Sequence, residues 1–205
     1  MLQAALLDVD ELLRNKNPGQ AGSLLSYILP YADDPKELTK NQDYYAFRDF
    51  IEYAYTMMHL SPEDDRPVRP YPGTDIMYHF GLVLVEREEF ERALEVFQNL
   101  LEISPVNVSI LMQIAEICRR RYDLDAYRDV TVRCMKYAWK PEELARAYRN
   151  LGYYYTEKGD YEAAVTCYLM SSTWEESPVV GQELAYIQKM GDTQEPSYYI
   201  THGED

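Results

Sequence analysis

Along most of the chain, apolar residues recur every three or four positions, the spacing of one buried helix face, and no stretch alternates with the two-residue period of a strand. The pattern predicts an all-helical protein of about ten helices. Residues 3–15 and 19–30 read as two short helices around Asn17-Pro18-Gly19. Residues 42–60 read as one long helix carrying Tyr44, Tyr45, Phe47, Phe50, Tyr53 and Tyr55. Ser61 to Gly73 holds four prolines and five charged residues, so it cannot continue a helix and reads as a linker or surface loop. Near the end, Ser177-Pro178 offers an N-cap followed by proline at the first helical position. It predicts a last helix through about Met190, with Val180, Leu184 and Ile187 inward, stopped by Gly191. From Asp192 to Asp205 the chain is polar.

Two windows of this pattern align with each other. Met77, Phe80-Gly81, Leu84, Phe90, Ala93, Phe97, Leu100 and Pro105 form the first. Tyr148, Leu151-Gly152, Tyr155, Gly159-Asp160-Tyr161, Ala164, Tyr168 and Ser171 form the second. Gly81 precedes Ala93 by 12 residues, as Gly152 precedes Ala164, and each alanine precedes its aromatic by four. Small residues at these places let two helices approach, and large ones fill the space between neighbouring units. A weaker window lies between them: Leu111, Ile114-Ala115 and Cys118, then Tyr122-Asp123-Leu124-Asp125-Ala126 as a turn with one residue deleted, and Val130, Cys134 and Tyr137 inward. Asp123 and Asp160 stand where they can cap second helices.

The windows resemble the tetratricopeptide repeat, a helix-turn-helix unit of 34 residues, most strongly over 74–107 and 145–178. The resemblance implies a right-handed solenoid of antiparallel helix pairs. Residues 1–60 would be an N-terminal helical region, either a degenerate repeat or a cap, and 61–73 a linker. Three units would span 74–178, a capping helix 179–191, and a polar tail 192–205.

Charge narrows the function. Lys and Arg number 20 against 35 Asp and Glu, a net −15, which disfavours nucleic-acid backbones and anionic membranes as partners. The N-terminus has no cationic region and acids break its apolar run at Asp8, Asp10 and Glu11, unlike a secretory signal. With no stretch near ~18 apolar residues, a cytoplasmic protein is the expectation. Cys118, Cys134 and Cys167 are sparse and unpaired in sequence, which favours buried reduced thiols over disulfides or zinc. Neither the three histidines (His59, His79 and His202) nor any glycine-rich or nucleophile motif defines a catalytic, metal or cofactor site, so no enzyme is predicted.

In the resembled family, ligands lie along the concave face of the first helices. Carried over by register, that face holds Tyr78 and His79 in the first unit; Gln113, Glu116, Arg119 and Arg120 in the second; and Arg146, Arg149, Asn150 and Tyr153 in the third. Arginine suits carboxylates because its planar fork donates two parallel bonds. The four arginines therefore predict one positive strip for a protein or peptide partner of acidic character. Relatives that clamp an acidic chaperone tail carry Lys and Asn in the first unit, Asn in the second, and Lys and Arg in the third; the matching positions here hold Tyr78, Leu82, Gln113, Arg146 and Asn150, and only Arg146 is compatible. An adaptor or scaffold is the leading expectation. A peptide-sensing regulator and a homodimer joined through the aromatic helix are the alternatives.

Overall fold

The computed structural model describes residues 2–31, 44–47, 49–59, 63–70 and 73–190. The polar tail, His202 and parts of the proline-rich segment lie outside the described residues. Among those described stand ten α-helices: α1 (Leu2–Arg14), α2 (Pro18–Ile28), α3 (Phe50–His59), α4 (Gly73–Glu86), α5 (Phe90–Ile103), α6 (Val108–Arg120), α7 (Leu124–Tyr137), α8 (Pro141–Lys158), α9 (Tyr161–Trp174) and α10 (Pro178–Met190). The fold is an all-α helical repeat. The chain divides into two compact bodies, one up to Ile117 and one from Cys118 onward.

Four helix hairpins share one turn. The residue before each N-cap has positive φ: Lys16 (54°), Glu88 (60°), Tyr122 (58°) and Gly159 (76°). In every case its N–H donates to the carbonyl three residues back, and the next N–H, of Asn17, Glu89, Asp123 or Asp160, donates to the carbonyl five back. These bonds satisfy last-turn carbonyls that a helix end otherwise leaves open. The side chains of Asn17, Asp123 and Asp160 then accept from Gln20, Ala126 and Ala163 N–H groups and start the second helix.

Counting from that turn, the buried positions also coincide. Seven residues before it stand Val9, Gly81, Ala115 and Gly152; five after it Ala21, Ala93, Tyr127 and Ala164; nine after it Leu25, Phe97, Thr131 and Tyr168, all buried. A Cβ on Gly81 would lie 2.5 Å from the Phe97 ring, and one on Gly152 2.8 Å from the Tyr168 ring, so both glycines are needed for the helices to approach. In α6–α7 the expected one-residue deletion is absent. The large residue has moved to Tyr127 and the small one to Thr131, and this exchange hid an unbroken register. Buried there are Tyr127, Thr131 and Cys134, while Val130 and Tyr137 are half-buried.

In the first body, α1 and α2 pack on α4 around Leu6, Val9, Ala21, Leu25, Ile76 and Val83. Between α2 and α4 runs a segment that sequence periodicity misread. Residues 42–60 are not one helix: β1 (Tyr45–Phe47) pairs in parallel with β2 (Val68–Pro70), Tyr45 opposite Val68. The aromatic run suits a strand, and the helix starts only where the Asp49 carboxylate accepts from the Glu52 N–H (2.8 Å). Ser104, at the end of α5, ties the segment down: its fully buried hydroxyl lies 2.9 Å from both the Ala46 carbonyl and Glu52 Oε1.

The second body stacks α7, α8, α9 and α10 in sequence. Val180 and Ile187 of α10 are buried against Ala164, Val165 and Tyr168, with Leu184 packed beside them, as the spacing predicted. Burial raises the pKa of the Tyr168 hydroxyl far above the tyrosine range.

Candidate functional site

In α8, Arg146, Arg149, Asn150, Tyr153 and Glu157 recur at i, i+3, i+4, i+7 and i+11 and so share one face. None of them is buried, whereas Ala145, Ala147, Gly152, Tyr154 and Thr156 are. The last turn of α6 meets this face: the Arg119 guanidinium stands 5.9 Å from the centre of the Tyr153 ring, a cation–π distance. The Tyr127 ring meets Tyr153 edge-on at 5.9 Å. Burial pushes the Tyr153 hydroxyl above its ordinary range; Glu157 and Glu183 push the same way and Arg119 opposes them. Arg120 is exposed beside this cluster.

The arginines differ in what holds them. Arg149 turns toward α9, where its guanidinium donates to Ser171 Oγ and Glu175 Oε2, each at 3.2 Å. Arg146 is half-buried, and among the described residues it has no carboxylate at ion-pair distance. It lies near Cys134, whose thiol burial pushes up to about 12; Arg146 is the strongest charge opposing that shift. Glu157 accepts from the Tyr122 hydroxyl at 2.5 Å.

In the first body, Gln113 Nε2 donates to the Tyr78 hydroxyl (3.3 Å), and the Tyr78 ring meets His79 at 5.7 Å and Phe97 at 5.9 Å. His79 is occupied on both sides: Nδ1 donates to the Asp75 carbonyl (2.6 Å), and Nε2 lies 3.2 Å from Asp10 Oδ1 of α1. Glu116 is half-buried on α6. Sequence reasoning missed Glu183, because the repeat register stopped before α10. Counting α10 as a further first helix would have exposed it.

No cluster of His, Cys, Asp or Glu that could hold a metal ion occurs among the described residues, and no described helix is long and apolar enough to cross a membrane. What the geometry defines is an all-α helical-repeat protein. A family model for the tetratricopeptide repeat matches residues 145–175, the α8–α9 hairpin. Among solved structures, the chain is similar to the MamA RS-1 ArsTM double mutant, at 16% identity and a TM-score of 0.57, covering 97% of this chain and 90% of that one. It also matches MamA 41-end from Desulfovibrio magneticus RS-1 at 15% identity and a TM-score of 0.42, covering 93% and 97%. The α8–α9 hairpin thus matches the tetratricopeptide repeat, and the likeness to the double mutant is one of fold, an all-α helical repeat.

Proposed function

We propose that the chain is an adaptor that holds an acidic peptide segment on the exposed face of α8 and the last turn of α6. The carrying observation is Arg146, a half-buried cation with no carboxylate at ion-pair distance among the described residues, on the same helix face as Asn150 and Tyr153. A charge partly withdrawn from water interacts more strongly with an incoming anion than an exposed one does. Arg119 and Arg120 add cationic groups, Asn150 adds an amide that both donates and accepts, and Tyr153 adds flat apolar area. Arg149 contributes less, because Glu175 already neutralises it.

The test is a random peptide library panned against the full chain. Enriched sequences should be rich in Asp and Glu, and their binding should weaken as salt rises. Arg146→Glu should reduce affinity about tenfold, a change of ~1.4 kcal/mol, with an unchanged circular dichroism spectrum. Enrichment without acidic bias, or an affinity indifferent to Arg146→Glu, would move the site elsewhere. The exposed Phe50, Met57 and Met58 on α3 would then be the surface to examine.

A further inference from the structure

The net charge of −15 is not spread along the chain. Residues 118–190 carry 11 Lys and Arg against 11 Asp and Glu, so the part of the chain bearing the α8 face is neutral. Residues 191–205 carry Asp192, Glu195, Glu204 and Asp205 and neither Lys nor Arg. In the middle of that segment stands an apolar triplet, Tyr198-Tyr199-Ile200. Acids flanking flat apolar side chains match, group for group, a face of Arg119, Arg120 and Arg146 around Tyr153.

α10, which precedes the segment, packs on α9 through Val180 and Ile187 against Ala164, Val165 and Tyr168, and the Tyr168 ring lies against Gly152 of α8. Glu183 of α10 acts electrostatically on Tyr153 and pushes its hydroxyl's pKa up. Met190, the last residue of α10, is seven residues beyond Glu183, or roughly 10 Å along the helix axis. A chain of this length spans up to ~50 Å when extended, so reach is no obstacle.

We propose that residues 191–205 are an internal ligand of the α8 face, competing with the outside partner. This inference rests on the acidic-ligand reading above. Apolar contact with Tyr153 anchors the Tyr198-Tyr199-Ile200 triplet, and Arg119, Arg120 and Arg146 take the flanking acids. Glu157, on the same face, and Glu183 of α10 repel the segment, and the Tyr122 hydroxyl offsets part of the Glu157 charge. Their repulsion keeps the internal ligand weak enough to be displaced. A short tether supplies an effective concentration on the order of 1 mM, so a tail with an intrinsic Kd of ~0.2 mM would weaken an outside ligand about sixfold.

The probe is a fluorescein-labelled peptide of residues 191–205, titrated against full-length chains. One chain is wild type. In the other the tail is neutralised by Asp192→Asn, Glu195→Gln, Glu204→Gln and Asp205→Asn. The peptide should bind the tail-neutral chain about sixfold tighter than wild type. Adding Arg119→Glu and Arg146→Glu to the tail-neutral chain should abolish binding while its circular dichroism is retained. Equal affinity for the two chains, or no binding to the tail-neutral chain, overturns the inference. So does a wild-type dimer that becomes monomeric when the tail is neutralised, because the occupant would then be a second copy's tail. If acidic peptides from the library still bind in an Arg146-dependent way, the internal ligand alone has failed. If they do not, the acidic-ligand reading has failed as well.

Discussion

A side chain added at Gly152 would meet the Tyr168 ring at 2.8 Å, whereas nothing lies within 4 Å of a Cβ at Gly181. Gly152→Leu is therefore expected to cost about 1–3 kcal/mol through overpacking, and Gly181→Leu little. Melting temperatures check the difference; similar losses would contradict the register. Both the Gly81–Phe97 and Gly152–Tyr168 pairings were legible, because a small and a large residue recur at fixed spacing. The Tyr127–Thr131 pair was not, since exchanging the large and the small residue preserves total volume but destroys the sequence signature. Arg149 shows the same limit for the site: its place on the α8 face followed from helical spacing, but its ion pair with Glu175 depends on where α9 ends.

At the scale of elements, one turn geometry serves four hairpins, yet only Gly159 has the residue type that geometry favours. Glycine populates positive φ without steric cost, while other L-residues there lose roughly 1 kcal/mol. Glu88→Gly should accordingly stabilise the chain and Gly159→Ala destabilise it, each by about 1 kcal/mol, or ~2–4 °C in melting temperature. Opposite signs in calorimetry confirm the turn; shifts of the same sign refute it. The Lys16 and Tyr122 turns could not be found by searching for glycine. The α1–α2 hairpin stayed ambiguous for a further reason. Its turn precedes that of α4–α5 by 72 residues, whereas the α4–α5 and α6–α7 turns are 34 residues apart. The inserted strands and α3 occupy the difference. Their aromatic run fits a helix face and a pleated strand alike, and pairing with β2 decides between them.

For the molecule as a whole, the three thiols report on the integrity of the second body. Cys118 and Cys134 are buried, Cys167 half-buried, and all are free. Burial pushes the Cys134 thiol up to about 12 and Cys167 to about 11, and raises Cys118. Since the thiolate is the nucleophile, labelling by a maleimide should be slow at neutral pH in the native protein. It should quicken at Cys167 before Cys134 as pH rises, and become fast for all three in denaturant. Rapid native labelling near pH 7 would show that the body opens. Helical periodicity and the repeated small-to-large spacing determined the helices outside 42–60, most of the repeat register and the last helix, because each depends on contacts local to one hairpin. The tertiary structure alone decided the strand pair and the Asp10–His79 and Arg149–Glu175 pairings. Each of these joins residues from separate elements, and the distance between such residues is set by packing rather than by spacing along the chain.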